Sequence, residues 1–330
     1  MSRRGWLMFA AMSVIWGIPY LLIKIAVGGV PVPVLVLCRV SIGAALLLPI
    51  ALRRRQFAAL RPYWRWLALF AVVEIITPWL LLSDAELRLS SSLSGLLIAS
   101  VPIIVAVLAR LTGGSDRLTV VRWAGLLAGL AGVALLAGHS AAGGDARSVG
   151  EVLLVAVCYA IGPLIASRKL SAVPPLGMTT VCLAFAAVVY APLAAMTWPD
   201  TFPSVKVLAA IAGLAVVCTA VAFLIFFALI AEVGPARASV ITYINPAVAV
   251  ALGVSVLGER LTPVMLGAFV LILGGSVLAT RPGQRRTRGG VPPAEPGPEP
   301  GPEPCPEPGP EPCPALGTPV NPAAAARARH

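Results

Sequence analysis

Residues 16–31, WGIPYLLIKIAVGGVP, recur in outline at residues 160–175, AIGPLIASRKLSAVPP. A shift of 144 carries Pro19 onto Pro163 and Pro31 onto Pro175, and it sets Lys24 on Arg168. The same shift carries Cys38 onto Cys182 and Pro102 onto Pro246. The first 280 residues hold 16 prolines, so an arbitrary shift should give about one Pro–Pro match or fewer; three indicate an internal repeat.

Working outward from these prolines, the apolar pattern divides into ten segments, 5–27, 32–52, 64–83, 91–110, 119–139, 150–168, 175–198, 205–229, 237–258 and 262–280. Each is near the ~20 residues that a helix needs to cross a bilayer. Period-two alternation is absent, which argues against an outer-membrane barrel. The fold class expected is therefore an all-α membrane protein of ten transmembrane helices, arranged as two five-helix repeats. An odd number of spans per unit makes the second copy enter the membrane in the opposite orientation, the inverted-repeat design of secondary transporters.

Composition agrees with a bilayer setting: 58% hydrophobic, 12% charged, mean hydropathy +0.90. The formal charge of +11 could suggest nucleic acid, but its distribution points to topology instead. With the N-terminus cytoplasmic, 17 basic residues fall on the inner side, among them Arg53, Arg54, Arg55, Arg61 and Arg65, and only Lys24, Arg88, Arg147, Lys206 and Arg260 on the outer side. The positive-inside rule then puts both termini in the cytoplasm. The basic, apolar start to Val27 is long and lacks a small-residue cleavage site, so it reads as an uncleaved first span.

The expected organisation is a first repeat over 1–139, a Gly/Ala-rich linker over 140–149, a second repeat over 150–280 and a tail over 281–330. The tail contains 15 of the 31 prolines and alternates Glu-Pro and Gly-Pro from Pro296 to Pro314, a composition for a disordered, polyproline-like cytoplasmic segment. Its Cys305 and Cys313 are expected as free thiols. Cys38, Cys158, Cys182 and Cys218 lie inside spans without metal-ligand spacing, so core packing is their expected role.

Enzyme signatures are scarce, and no enzymatic activity, cofactor or metal site is expected. The only histidines are His139 and His330, and no G-x-x-x-x-G-K-[ST] phosphate loop occurs. Ser83, Ser90, Ser91, Ser92 and Ser94 have no histidine base nearby, so hydrogen bonding between helices explains them better than nucleophilic catalysis.

Charges inside spans say more, since each costs ~2.5–3.5 kcal/mol at the bilayer centre and is seldom kept without a partner or a cavity. Glu74 sits about halfway along the third span, and Arg39 about a third of the way into the second. A Glu74–Arg39 pair facing the bundle interior is expected, acting in transport or as a structural ion lock. The 144-residue shift places Arg39 on Leu183 and Glu74 on Cys218, so the duplicated scaffold itself does not demand these charges. Lys24 and Arg168 obey the repeat and lie near span ends, where snorkelling anchors are the preferred reading.

Pro19, Pro78, Pro102, Pro163 and Pro246 lie within spans, where each removes a helix hydrogen bond. Tyr243 and Asn245 stand beside the Pro246 break, Asn245 serving substrate or helix packing equally well. Trp16, Tyr20, Trp79 and Tyr243 offer stacking or polar surfaces in a cavity, with aromatic packing the competing role. Gly125, Gly129 and Gly132 in the fifth span, with Gly267, Gly274 and Gly275 in the tenth, form small-residue stripes suited to close helix packing, as a scaffold or a homodimer surface.

With these residues in order, the chain resembles the EamA-like branch of the drug/metabolite transporter superfamily. The resemblance rests on Trp16-Gly17 with Lys24, Pro31 and Arg39, Pro102, Asn245-Pro246 and the segment Gly258-Glu259-Arg260-Leu261-Thr262, which has a degenerate counterpart at Ser115-Asp116-Arg117-Leu118-Thr119. It covers residues 5–280. What it implies is a ten-helix inner-membrane carrier of small metabolites with a central cavity lined by spans one to four and six to nine, spans five and ten being peripheral. Glu74 is not a general feature of that family.

The expected function is a proton-coupled or facilitative secondary transporter of small metabolites or drugs. Arg39 would attract an anionic group and Glu74 would act as the proton-linked switch. The expected partners are a small-molecule substrate and the lipid bilayer, not nucleic acid. The rival reading is a non-transporting membrane scaffold or receptor that signals through its proline-rich tail.

Overall fold

Prolines and caps set where the helices break. Span one is two helices, Arg3–Ile15 and Pro19–Val27, parted at Trp16–Ile18 where Pro19 opens the second piece. Span four breaks likewise between Ser91–Ile98 and Val101–Leu111, with Pro102 in the first turn of the second piece. Its repeat mate Pro246 opens Asn245–Leu257 after a short 3-10 turn at Ser239–Tyr243. Pro163, by contrast, lies inside the uninterrupted helix Ala146–Lys169.

The computed structural model describes residues 2–111, 120–142, 145–234 and 238–280. The expected tail at 281–330, the thiols of Cys305 and Cys313, and the counterpart motif at Ser115–Thr119 lie outside them. Every regular element among the described residues is helical. Nine stretches are long and apolar enough to cross a membrane: Arg3–Val27, Val32–Arg53, Phe57–Arg88, Ser91–Leu108, Val120–Gly138, Ala146–Lys169, Pro175–Met196, Val205–Val233 and Val240–Leu257. A shorter apolar helix, Pro263–Ala279, completes the ten. Helix Val120–Ala142 and helix Ala146–Lys169 take up most of the stretch expected as linker.

Packing reproduces the repeat. Span one packs on span eight and span six on span three; spans two and seven, four and nine, and five and ten pair with their own counterparts. Exchanging the two halves maps this set of pairings onto itself, as an inverted repeat requires. The pseudo-symmetry reaches local geometry: a π-helical turn at Val72–Ile76 in span three is matched by one at Gly213–Val221 in span eight, in the region the 144-residue shift predicts. Wide π turns of this kind are often found at functional sites.

The glycine stripes of spans five and ten face each other within one chain. A Cβ at Gly125 would lie 2.5 Å from Leu278 Cβ, and one at Gly132 would lie 2.9 Å from Ile272 Cγ1. Gly125, Gly129, Gly132 and Gly275 are thus occupied by an internal contact, and only Gly267 and Gly274 look onto open space. The expected homodimer surface does not use the first four.

Candidate functional site

Span two presents Val36, Arg39, Val40, Gly43 and Leu47 as one buried stripe, at the three- and four-residue spacing of a helix face. Arg39 is therefore carried into the bundle, only 7% exposed. Its Nε donates to Thr219 Oγ1 at 3.1 Å, and its guanidinium carbon lies 3.6 Å from the centre of the Trp79 ring. The Thr219 hydroxyl donates in turn to Leu214 O at 2.9 Å, five residues back, in π-helical register. Among the described residues Nε is the one guanidinium nitrogen with a protein acceptor, so the terminal nitrogens have donors to spare.

Glu74 is turned elsewhere. It sits in the π turn of span three with Oε2 buried and without a partner, and its carboxylate lies so close to Gly162 of span six that any Cβ there would overlap it. The groups in electrostatic range of Glu74 are Cys158, Tyr159 and Cys182. Those in range of Arg39 are Cys218, Tyr159 and Glu86. The expected Glu74–Arg39 ion pair is therefore not formed. Glu74 lies against Gly162 of span six, whereas Trp79, five residues on, lies under Arg39 of span two. Tyr159 stands electrostatically between them.

The other expected residues divide into two groups. Tyr20 is buried in the main core beside Gly95 of span four. Trp16 instead packs on Phe223 and Phe226 of span eight, at ring separations of 6.2 and 4.6 Å. The Asn245 amide, oriented to satisfy its neighbours, donates to Ile241 O and to Ser13 O, tying the span-nine break to span one. Tyr243 ends the 3-10 turn beside it, partly exposed. Asn245 and Trp16 are thus joined to helix packing, whereas Arg39 and Trp79 share a site.

Lys24 is no snorkelling anchor. Its Nζ donates to Glu86 O at 2.6 Å and Leu89 O at 2.7 Å, so the ammonium caps the C-terminal end of helix Thr77–Arg88, where exposed carbonyls and the helix dipole favour a cation. Glu259, from the Gly-Glu-Arg-Leu-Thr segment, plays the converse role. Its carboxylate accepts from the backbone N–H and the hydroxyl of both Ser91 and Ser92, at 2.5–3.0 Å, at the start of helix Ser91–Ile98. Gly253 leaves room for this clamp, since a Cβ there would overlap both Glu259 and Ser92. Ser91 and Ser92 thus join separate helices, whereas Ser83 bonds to Trp79 O in its own helix, Ser90 caps Leu93 N–H and Ser94 Oγ is buried without a partner.

Sequence reading missed Glu86, Tyr159 and Thr219. Ending span three at 83 left Glu86 in a loop, but the helix continues to Arg88 and buries Trp79, Leu82, Ser83 and Glu86 on one side. The signal was present in that helical spacing. Asp84 and Arg88 take the opposite side and join Arg147, Ser148 and Glu151 of span six in a partly exposed network. A second clasp joins span one to span eight, where Ser2 Oγ donates to Glu232 Oε1.

Comparison with known proteins gives these features a setting. The model of the EamA-like transporter family matches residues 3–138 and again 149–281. An inner membrane transporter of Escherichia coli strain K12, YedA, bearing the description uncharacterized, is 27% identical over 275 residues, 82% of this chain and 88% of the relative. The transporter YvbV of Bacillus subtilis strain 168, likewise described as uncharacterized, is 24% identical over 278 residues, 82% of this chain and 90% of its own. A solved crystal structure aligns with a TM-score of 0.60 over 84% of this chain and 96% of its own length, at 24% identity, a likeness of fold alone. With the family model matched in both halves of a ten-helix inverted repeat, the chain belongs to the EamA-like transporter family and is a multi-pass membrane transporter.

Proposed function

We propose that this chain is a secondary transporter that moves small metabolites or drugs across the cytoplasmic membrane by alternating access, proton-coupled or facilitative, with both termini in the cytoplasm. One observation carries the substrate side of this reading. Arg39 is a buried cation without a carboxylate partner, shelved on Trp79, with its terminal guanidinium donors unspent. A planar donor fork held against an aromatic ring suits an anionic group such as a carboxylate, bound bidentately. Glu74, with one buried oxygen free of any partner, is the group that changes charge as the halves rock.

The two end clasps support alternating access. The 144-residue shift sets Arg88 on Glu232 and Ser148 on Arg4, two residues from Ser2. The Arg88–Ser148 contact and the Ser2–Glu232 contact are thus near-equivalents under the repeat, each joining one half to the other. Rocking of one repeat against the other would break and re-form such contacts in turn.

The test begins with a metabolite survey of overexpressing against deleted cells to supply candidate substrates, followed by flux in vesicles reconstituted with the pure chain. The expected result is uptake of a carboxylated compound that its uncharged ester does not compete with, and that Arg39→Ala abolishes. Uptake unaffected by Arg39→Ala would overturn the site assignment. Vesicles that pass none of the surveyed compounds would favour the scaffold or receptor reading.

A further inference from the structure

Glu86 is fully enclosed, 0% exposed, and neither of its carboxylate oxygens has a hydrogen-bond partner. Glu259, in electrostatic range of it, accepts four hydrogen bonds. Two carboxyls at neighbouring places thus have opposite provision: one is built to hold a negative charge, the other has no donor for one. An ionised Glu86 would be desolvated and without a hydrogen bond in this conformation, with Glu259 opposing its charge and the cations in range, Lys24 and Arg39, bonded to other groups.

The groups facing Glu86 are few. Lys24 and Tyr20 come from span one, Arg39 from span two, and Glu259 from the turn after span nine. Arg39 is stacked on Trp79 and bonded to Thr219. Lys24 is engaged with the backbone carbonyls of Glu86 and Leu89, so its ammonium stands at the same turn of span three as the Glu86 side chain but is bound to main chain. An ammonium carries three donors, and moving one from a carbonyl to a carboxylate needs only a change of its terminal torsions.

From this contrast we infer that Glu86 is a proton-binding site of the transport cycle, a carboxylic acid in this conformation that exchanges its proton with water and then takes Lys24 as its partner. The O–H bond of Glu86 breaks, the proton leaves to water, and the carboxylate left behind draws the ammonium from the span-three carbonyls. The proton forms a new O–H bond on water, Lys24 exchanges a hydrogen bond to a carbonyl for one to the carboxylate, and no other covalent bond changes. The consequence is mechanical: Lys24 holds the end of span three to span one, and Leu89 leads directly into the Ser91–Ser92 clamp on Glu259. Protonation of Glu86 therefore decides how spans one, three and four are joined. The inference rests on the transporter reading for its place in a cycle, and it concerns a different carboxyl from Glu74.

Infrared difference spectroscopy on the full chain in lipid tests it without requiring flux, so a failure of the transporter reading leaves the answer intact. The expected result is a carboxylic-acid carbonyl stretch near neutral pH that is lost in Glu86→Gln, retained in Glu259→Gln, and lost reversibly in the unmodified protein as the pH is raised. Lys24→Gln is expected to move the pH at which that band vanishes. A band unchanged by Glu86→Gln would overturn the inference, and so would a Glu86 band that never titrates. A midpoint unmoved by Lys24→Gln would remove Lys24 as the partner. Glu86→Leu, neutral and of similar size, replaces the Gln variant should that one not fold.

Discussion

The guanidinium of Arg39 on span two lies 3.6 Å above the ring of Trp79 on span three, and this stacking, not an ion pair with Glu74, holds the one buried arginine among the described residues. A cation over an aromatic face in a desolvated place is stabilised by about 2 kcal/mol. The geometry leaves the outer nitrogens free to bind.

Trp79→Leu should therefore weaken binding of an anionic substrate about tenfold or more by loosening Arg39, with insertion preserved. Arg39→Lys keeps the charge but not the planar fork, and should raise KM more than it lowers kcat. Vesicle uptake kinetics on the three proteins check both outcomes; equal KM values would remove the shelf from the site.

Glu74 and Arg39 should behave independently. Glu74→Gln is expected to reduce the pH dependence of transport to the part that Glu86 contributes while leaving exchange intact, and Arg39→Ala to lower affinity. Because no ion pair joins them, the coupling in a double-mutant cycle of folded-protein stability should stay under about 0.5 kcal/mol. Recovery of folded protein in the Glu74→Gln, Arg39→Leu double variant would instead reveal a structural pair.

The Glu259 clamp should matter for folding. Glu259→Gln removes the charge and half the acceptors facing Ser91 and Ser92, so about 3 kcal/mol of stability should be lost, given charge-assisted hydrogen bonds of about 1.5–3 kcal/mol each. The neighbouring exposed Arg260 offers the control, and Arg260→Gln should change stability by under about 0.5 kcal/mol. Thermal unfolding in detergent compares the two.

The end clasps should matter for motion and little for stability. Arg88→Ala removes the ion pairs to Asp84 and Glu151 and the hydrogen bond to buried Ser148, together worth about 1–2 kcal/mol. In a cysteine-free background, Arg88→Cys with Ser148→Cys bridged by a short reducible bifunctional thiol reagent should stop flux, and reduction should restore it. Continued flux in the bridged protein would exclude opening at that end.

Removal of the tail after Thr280 should leave insertion and flux nearly intact, because its composition cannot bury apolar surface. Cys305 and Cys313 should resist a membrane-impermeant thiol probe applied to intact cells and react after lysis. Labelling from outside would reverse the proposed orientation.

Hydropathy and the 144-residue proline register made the ten spans and their duplication legible in the sequence, and motifs such as Asn245-Pro246 and Gly258-Glu259-Arg260-Leu261-Thr262 carried the family resemblance. These are properties of the chain as a string: crossing a bilayer takes a run of apolar residues, and an odd repeat can only invert. Arg39 and Glu74 were also visible, because a charge inside an apolar run is costly wherever its side chain points.

Partnership was not visible. Whether Arg39 meets Glu74 or Trp79 depends on helix rotation and on a π turn that shifts the side chains beyond it, and depth along a span fixes neither. The role of Lys24 required the end of span three, which runs to Arg88 and brings Glu86 into the bundle. The Glu259 clamp joins residues 168 positions apart. The sequence by itself determined what must lie in the membrane, because transfer to lipid depends on composition; only the tertiary structure decided which buried charges find donors, because hydrogen bonds depend on angle and distance between separate helices.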